Sequence, residues 1–569
     1  NKSVPFCQIN LSPLGNGSNE VMIRKTGFVA MALFCLALCQ SVAASDDVSA
    51  HIRAWVERIR TGDCVEIDDC PISSTIVLPA LYEKYNYQPI WTNPDSVSQL
   101  LSEIEGSFRD GLDPEDYHLT GIRRLQSRLA QAADPEVRAE FDLVLSDSLI
   151  RLGYHLLVGK VDPESLDSNW NMKRTLELDP LLELSGAIKS GDVTNLVAGF
   201  RPQAAFYHEL KQALADHRML QAQGGWPAVP AGETLKPGMS DPRVAALRQR
   251  LVVTGDLDTM DTASQAFDEA VEAGVRRFQQ HHGLDDDGVV GKATLAELNV
   301  PVEARIDQLR VNLERARWVL HDLPRDFVLT DIAGFQVRYF RDGQPVWSTR
   351  SQVGTAYRKT PVFRDRIRYI EFNPTWTVPP TILRQDILPR VKRDPGYLEQ
   401  KNLRVLDRDG KPVDAAGIDW SLYPARGFPY LLRQDPGPDN ALGRMKFMFP
   451  NKHAVYLHDT PYQSKFSKTQ RTFSSGCIRV EDPYGFAALL LDDKPEWTRA
   501  RIDEVVDSRK TTRVNLSEPL TVLLLYWTAE VGAGGHVIFR QDIYDRDAGV
   551  LAALNSGFSF GDREVVREP

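Results

Sequence analysis

The spacing of apolar residues changes near Arg325, and this change divides the chain into a helical part and a mainly β part. Before it, apolar residues recur three and four positions apart, as in Leu100-Leu101-Ser102-Glu103-Ile104, which predicts helices over residues 48–225. After it, apolar and polar residues alternate, as in Phe335-Gln336-Val337-Arg338-Tyr339-Phe340, which is typical of strands. The pattern therefore predicts a multidomain α+β protein.

A short helical unit is predicted between these two parts. Proline and glycine mark a linker around residues 223–238, and three helices follow within residues 238–300. Repeats of three and four then predict a connecting amphipathic helix over residues 301–322. The adjacent His281 and His282 point in different directions on a helix, so we expect surface histidines rather than a metal pair. The apolar positions of the first two helices are Val244, Leu247, Leu251, Val275 and Phe278.

An insertion interrupts the β pattern at residues 381–440, where proline, glycine and aspartate are frequent. One helix is predicted near residues 382–391. Further along, residues 523–528 and 537–539 predict a hairpin, and the residues after about Ala552 are expected to be loosely ordered. The β domain as a whole is predicted over residues 325–550.

The start of the chain carries an export pattern. Met22-Ile23-Arg24-Lys25 precedes an apolar run, and Val42-Ala43-Ala44 offers a cleavage site before Ser45, so residues 22–44 predict a signal peptide. The apolar run is short for a membrane span, although an uncleaved inner-membrane anchor is the alternative. Residues 1–21 are expected to lie upstream of the biological start.

Length, charge and cysteine count narrow the classes of function. A chain of 569 residues predicts several domains, and a net charge of −10 gives no basic surface for nucleic acid. Of six cysteines, three remain after the predicted cleavage. Cys64 and Cys70 close a short loop, which favours a disulfide in an exported protein. A metal pair is the rival, but no further cysteine or suitably spaced histidine accompanies them, so we predict no metal site.

The third cysteine, Cys477, is the candidate nucleophile. It follows Gly476 in a Ser474-Ser475-Gly476-Cys477 run, and His458 stands nineteen residues before it at the end of an apolar segment. A thiol on a glycine-containing turn with an imidazole available has the parts of a nucleophile and its base. Taken alone, the two residues also fit an inert buried thiol and an ordinary histidine.

The surrounding motif resembles the L,D-transpeptidase catalytic domain, which has His-x-Thr followed by Ser-x-Gly-Cys-Ile/Val-Arg. His458, Thr460 and the run from Ser474 to Arg479 supply these positions. Ser475 stands where many members have a second histidine, which leaves His458 as the local base. Gln88-Pro89-Ile90-Trp91 resembles the scaffold domain of the large periplasmic members of Gram-negative bacteria, and residues 278–295 resemble a peptidoglycan-binding domain. The insertion at residues 381–440 resembles the capping subdomain of those members, which implies a lid over the cleft; a surface insertion without a role is the alternative.

The resemblance implies roles for individual residues. Cys477 is the nucleophile and His458 the base, oriented by the Asp459 carbonyl or, as a second possibility, its carboxylate. The oxyanion is expected to meet the N–H groups of the Gly476-Cys477 turn and the Tyr456 hydroxyl. Arg479 is expected to bind a substrate carboxylate or to form a structural ion pair. The remaining expected substrate-binding residues are Ser474, Ser475, Thr460 and Trp376.

The same resemblance implies a reaction in the cell wall. Cys477 attacks a tetrapeptide stem of peptidoglycan, D-alanine leaves, and the amine of a second stem resolves the thioester into a 3→3 cross-link. No cofactor or metal is implied, carbapenems are expected to acylate Cys477, and the implied location is the periplasm. Peptidoglycan stems are the partners, with other wall-synthesis enzymes as further ones. The alternatives are a cysteine L,D-carboxypeptidase or amidase, and an inactive wall-binding scaffold.

Overall fold

The computed structural model describes residues 47–61, 65–172, 180–424 and 426–558. The predicted upstream stretch and signal peptide lie outside the described residues, and so does Cys64, one half of the predicted disulfide with Cys70. Within the described ranges, no helix has both the length and the apolar character that crossing a membrane requires.

The chain divides into two compact units. The first consists of the described parts of Asn1–Leu100, His118–Ile150 and Asp179–Val193, and the second contains the rest. The predicted helical scaffold therefore contributes to both units. It contains nine helices among its described residues and a two-stranded hairpin of β1 (Glu66–Ile67) and β2 (Cys70–Pro71). The helices are α1 (47–60), α2 (Val77–Lys84), α3 (Pro94–Gly106), α4 (Leu119–Gln131), α5 (Pro135–Val158), α6 (Pro163–Leu166), α7 (Pro180–Ser190), α8 (Val193–Gly199) and α9 (Ala205–Ala222).

A buried carboxylate organises the first unit. Asp142 on α5 accepts hydrogen bonds from the Tyr82 hydroxyl at 2.7 Å and from the N–H groups of Ile90 and Trp91 at 3.0 Å each. These bonds satisfy backbone donors that burial would otherwise leave unpaired. The Gln88–Trp91 segment is thus held by hydrogen bonds to a helix, which is a packing role.

The short helical unit of the sequence is confirmed as a three-helix bundle. It consists of α10 (Arg243–Val253), α11 (Glu269–His281) and α12 (Lys292–Leu298), and its predicted apolar positions are buried. The expectation of two surface histidines was wrong. His282 is buried and stacks on Phe278 at 3.9 Å, while His281 Nδ1 lies 2.8 Å from an Asp256 carboxylate oxygen.

The connecting helix α13 (Val302–Val319) forms as predicted, but it is not amphipathic in the expected sense. Charged residues on it are buried as well as apolar ones, because they pair within the helix and with neighbouring segments. Arg317 and Glu314 form an ion pair of 2.6 Å with both side chains fully buried. The helix packs with α9 against the sheet of the β domain in a single hydrophobic core.

The β domain contains fourteen strands in the part of the chain that the structure describes. They are β3 (Phe327–Asp331), β4 (Gln336–Arg341), β5 (Gln344–Gly354), β6 (Phe363–Phe372), β7 (Trp376–Thr377), β8 (Leu403–Leu406), β9 (Leu431–Gln434), β10 (Met445–Met448), β11 (Leu457–His458), β12 (Thr472–Ser474), β13 (Ile478–Val480), β14 (Thr512–Leu525), β15 (Ala529–Val531) and β16 (Val537–Phe539). The predicted turn between β4 and β5 is present, with positive φ at Asp342 and Gly343.

Nine of these strands form one sheet in the order β12-β5-β13-β11-β10-β6-β14-β3-β4. Since β4 also pairs with β5, eight of the nine close into a ring. The long strand β14 runs parallel to β3 and antiparallel to β6. Apolar residues from every part of this ring fill the core.

The insertion is a small folded subdomain. Its strands form a separate sheet in the order β7-β9-β8, and α14 (Pro380–Ile382), a π-helical turn at Leu383–Ile387, α15 (Leu388–Arg393) and α16 (Tyr397–Gln400) cover it. A hydrophobic cluster of its own holds these elements together. Trp376 packs against that cluster, so the subdomain begins before the predicted boundary at residue 381.

The last part of the domain differs from the prediction. Residues 523–525 end β14 in the main sheet, and the hairpin is formed by β15 and β16 instead.

Three helices complete the domain: α17 (Pro483–Leu490), α18 (Arg499–Asp507) and α19 (Asp547–Leu554). α19 continues past Ala552, where loose order was expected. Asp482 caps α17 by accepting the Gly485 N–H at 2.9 Å.

Candidate active site

The site is built on two parallel strands, β11 and β13. Leu457 lies opposite Ile478 and His458 opposite Arg479, and the Ile478 N–H donates to the Tyr456 carbonyl at 3.1 Å. Leu457 and Ile478 point into the core, where both are fully buried. Because side chains alternate along a strand, the residues on either side of them point to the opposite face. That face carries Tyr456, His458, Cys477 and Arg479.

A row of polar side chains crosses the sheet through His458. The strand registers place one such residue on each of six neighbouring strands, all on the face that carries the thiol. Within the row, the Arg479 guanidinium donates to Gln352 Oε1 at 3.1 Å. The row consists of Gln352, Arg479, His458, Lys446, Glu371 and Arg513.

The turn before Cys477 is closed by a side chain. Ser474 Oγ donates to the Cys477 carbonyl at 2.5 Å and accepts the Gly476 N–H at 3.1 Å. Gly476 has a φ of +115°, a conformation that favours glycine. Its carbonyl accepts from Thr360 Oγ1 at 2.9 Å, which anchors the turn to the loop between β5 and β6.

The Cys477 thiol is partly exposed, and its neighbours act on it in opposite directions. Burial raises the pKa of the thiol, while hydrogen bonds from Tyr456 and the positive charges of Lys446 and Arg479 lower it. The net pKa is raised, so the sulfur is a protonated thiol near neutral pH. The thiol also contacts the Ala454 carbonyl at 3.7 Å. A base is therefore needed to generate the nucleophile.

His458 has the properties of that base. Its Nδ1 lies 2.5 Å from the Asp459 carbonyl, and because a carbonyl oxygen only accepts, Nδ1 carries the proton and Nε2 the lone pair. Burial, followed by the charge of Arg479, lowers the pKa of His458 to about 3. The imidazole is consequently neutral at physiological pH and able to take up a proton.

Both groups that the sequence offered for orienting His458 belong to Asp459, and the geometry separates them. The carbonyl contacts the imidazole, whereas the carboxylate accepts the Arg444 N–H at 2.8 Å and the Gln463 amide at 3.2 Å. A Cβ on Gly443 would lie 2.4 Å from this carboxyl group, so a glycine is needed there. The carboxylate thus fixes the loop, and the carbonyl fixes the ring.

The other predicted site residues lie at different distances from this centre. Thr460 is buried, and its hydroxyl accepts the Tyr462 N–H at 3.2 Å, which shapes the loop after His458. Ser475 is exposed and lies in the turn of residues 474–477 that carries Cys477, the nucleophile turn. Trp376 belongs to the hydrophobic cluster of the insertion. Tyr456 places its ring 5.9 Å from the imidazole, centroid to centroid, and burial together with the neighbouring Cys477 sulfur raises the pKa of its hydroxyl.

Two polar neighbours of the candidate catalytic pair were not predicted. Lys446 lies opposite His458 and places its ammonium 4.0 Å above the Tyr456 ring, and Gln352 pairs with Arg479. Lys446 stands between Met445 and Phe447, which are both buried. This alternation shows which face of its strand Lys446 occupies, but not which strand lies beside it. Strand order is set by long-range pairing, so local patterns do not identify such neighbours. Among the described residues, no group of three or more His, Cys, Asp or Glu is arranged to hold a metal ion.

Comparison with known families agrees with this geometry. Family models match a "Scaffold domain" at residues 77–214, a "Putative peptidoglycan binding domain" at residues 240–298 and an "L,D-transpeptidase catalytic domain" at residues 325–505. The part of the chain that carries His458 and Cys477 is thus an L,D-transpeptidase catalytic domain. Together, the three matches give the domain order of a multidomain L,D-transpeptidase.

Individual relatives cover the chain only in part. A "Putative L,D-transpeptidase" of Haemophilus influenzae is 38% identical over 255 residues, which make up 44% of this chain and 51% of that protein. The chain therefore spans about half the length of this curated relative. Solved L,D-transpeptidase structures from Xylanimonas cellulosilytica and Stackebrandtia nassauensis are 16% and 15% identical. Each covers 52% of this chain, and 99% and 96% of its own, at TM-scores of 0.16 and 0.20, which carry no structural argument.

Proposed function

We propose that the chain catalyses acyl transfer between peptidoglycan stem peptides through a thioester on Cys477. The observation that carries this proposal is the shared sheet face of a protonated thiol, a neutral imidazole with its Nε2 lone pair, and the Tyr456 hydroxyl. This is the nucleophile, base and hydrogen-bond donor that acyl transfer requires.

In the first step, Cys477 Sγ attacks the carbonyl between diaminopimelate and the terminal D-alanine of a tetrapeptide stem. The thiol proton passes to His458 Nε2 and then to the departing amine of D-alanine, which leaves the thioester. The proton is thereby returned, and the imidazole is neutral again. The Asp459 carbonyl, 2.5 Å from Nδ1, orients the ring throughout.

The developing oxyanion needs donors that are free, or become free, when the sulfur attacks. The Gly476 N–H already donates to Ser474 Oγ, so it is not available without rearrangement. The Cys477 N–H has no acceptor among the hydrogen bonds of the described residues. We assign the oxyanion to this N–H and to the Tyr456 hydroxyl, which lies at the sulfur.

Arg479 acts on the catalytic pair through its charge. It has no carboxylate within ion-pair distance in the described ranges and instead bonds to Gln352, with its guanidinium carbon 5.7 Å from the Tyr462 ring centroid. Its charge lowers the pKa of both His458 and Cys477. We therefore propose that it keeps the base neutral and supports the thiolate as that forms.

In the second step, the side-chain amine of a diaminopimelate on another stem attacks the thioester. The amine proton goes to His458 and then to the sulfur, which regenerates the thiol and gives a 3→3 cross-link. The peptidoglycan-binding-like bundle would hold the chain on its polymeric substrate, and the periplasm is the proposed location. Water as acceptor would give an L,D-carboxypeptidase instead.

The deciding experiment incubates the purified protein with tetrapeptide muropeptides. We expect cross-linked dimers and free D-alanine from the wild type, and neither from Cys477→Ala. Tripeptides without dimers would mean hydrolysis, and no product at all would mean a wall-binding scaffold. Circular dichroism of the variant controls for folding. Peptide mapping after carbapenem treatment is expected to place the adduct on Cys477.

A further inference from the structure

Arg358, in the loop between β5 and β6, touches both the insertion and the nucleophile turn. Its guanidinium donates to Ser475 Oγ at 2.8 Å on one side. On the other side it forms a bidentate pair with Asp386 at 2.5 and 3.0 Å and donates to Gln385 Oε1 at 2.8 Å. One side chain therefore links a carboxylate of the insertion to the residue two positions before Cys477.

The partner of Arg358 is not locked in place. Asp386 lies in the π-helical turn Leu383–Ile387, and its side chain is 40% exposed, compared with 18% for Arg358. Ion pairs at the surface contribute little to stability unless their geometry is bidentate, and even then water competes with the arginine for an exposed carboxylate. Another carboxylate of suitable geometry is therefore able to replace Asp386.

The proposed donor peptide brings such a carboxylate to this place. The residue that leaves is the terminal one, so its carboxylate carbon lies three covalent bonds from the carbonyl that Cys477 attacks. An enzyme that removes a terminal residue gains from a cation close to its nucleophile. Arginine is the side chain that pairs with a carboxylate in two parallel hydrogen bonds.

Of the cations near Cys477, Arg358 meets this requirement best. Arg479 is partly buried in the polar row beside His458 and is bonded to Gln352. Lys446 lies over the Tyr456 ring and offers a point charge rather than a planar fork. Arg358 already binds a carboxylate in the bidentate manner and is fixed to the nucleophile turn by its bond to Ser475.

We propose that Arg358 binds the terminal carboxylate of the donor peptide, and that Asp386 occupies this position until the donor arrives. The inference rests on the proposed function, because it takes the donor from there. Exchange of one carboxylate for the other releases the insertion at this contact. The enzyme then prefers donors with a free terminal carboxylate over donors whose end is blocked.

Binding to a Cys477→Ala background tests the proposal without turnover. The probes are a tetrapeptide ending in diaminopimelyl-D-alanine and the same peptide with its terminal carboxylate amidated, measured by calorimetry. We expect Arg358→Ala to raise the Kd of the free acid at least about ten-fold, the usual effect of losing a charge-assisted pair, and to leave the amide unchanged. Asp386→Asn is expected to lower the Kd of the free acid.

Two further variants separate recognition from structure. Arg404→Ala removes the matched Arg404–Asp435 pair of the insertion and is expected to change neither Kd. The exchange Arg358→Asp with Asp386→Arg restores an ion pair with reversed polarity, and we expect it not to restore binding of the free acid. Restored binding, or equal losses for acid and amide, would overturn the proposal. Absence of transfer by the wild type would instead contradict the proposed function, which these binding measurements do not require.

Discussion

His458 in the catalytic domain and His282 in the three-helix bundle are closely similar histidines in unrelated places. Both are buried, and both place Nδ1 against a backbone carbonyl, that of Asp459 at 2.5 Å and that of Phe278 at 2.8 Å. Burial is the largest cause of a lowered pKa in each case. By titration alone, the two imidazoles would be ranked as equal candidates for a general base.

Their neighbours separate them. His282 stacks on Phe278 at 3.9 Å and on Phe539 at 5.8 Å, so aromatic rings cover its faces. His458 lies on the sheet face that carries Tyr456 and a thiol. A lowered pKa therefore reports burial, and only a reacting group beside the imidazole gives it a chemical use.

Replacement of each histidine by alanine should show the difference between them most clearly. We expect His458→Ala to lower the rate of dimer formation about 10³-fold, because the thiol then lacks its general base. We expect His282→Ala to leave this rate unchanged and to lower the free energy of unfolding by about 2 kcal/mol, since it removes a packed ring. Muropeptide turnover and urea unfolding measure the two effects. Loss of turnover in folded His282→Ala would contradict the distinction.

Tyr456→Phe tests how much one neighbouring group contributes to the reactivity of the site around His458. The ring beside His458 remains, while the hydroxyl at the sulfur is lost, and with it one of the two proposed oxyanion donors. We expect thioester formation to slow about 10²-fold, in the range found for a single oxyanion donor. Intact-mass measurement of the acyl-enzyme over time gives the rate. An unchanged rate would remove the hydroxyl from the mechanism.

The proposed catalytic residues could be identified from the sequence because they lie in one local motif. Cys477, His458 and the glycine turn are close in the chain, and the strand ending at His458 has a clear apolar pattern. The three-helix bundle was predicted for the same reason, since its helices show regular spacing and its core positions are buried as expected.

What the sequence did not reveal depends on pairing between distant segments. Lys446 and Gln352 reach the site only through the register of β10 and β5 with their neighbours. The hairpin of β15 and β16 was assigned to the wrong strand because β14 finds its partners in β3 and β6, about 150 to 200 residues earlier. His282 was expected on the surface, since nothing local shows that Phe539 covers it.

The acylation rate and the free energy of unfolding should depend on pH in different ways. Because the pKa of His458 is about 3, we expect the rate of Cys477 acylation by a carbapenem to stay level between about pH 5 and 7. An imidazole with the ordinary value of about 6.5 would instead give a rate falling nearly ten-fold per unit below it. Intact-mass measurements on samples quenched at fixed times distinguish the two rate profiles.

Over the same range, the free energy of unfolding is expected to fall as the pH falls. His458 and His282 take up protons in the unfolded chain below about pH 6.5 but not in the folded one, so acid favours unfolding. The slope is at most about 1.4 kcal/mol per pH unit for each histidine. Chemical unfolding at a series of pH values measures this slope. If the slope is steeper for the wild type than for His282→Phe, the difference is the contribution of His282.

Arg479→Gln is expected to give the smallest change, and it tests why His458 stays neutral. Burial is the first cause of the lowered pKa and Arg479 only the second, so removal of the guanidinium should raise the pKa of His458 without restoring the ordinary value. The acid limb of the acylation profile then moves to higher pH, and the rate at pH 7 falls a few-fold because the thiol also loses a stabilising charge. Arg479→Lys retains the charge and should retain the limb. If glutamine and lysine shift the limb equally, Arg479 acts through its hydrogen bond to Gln352 rather than through its charge.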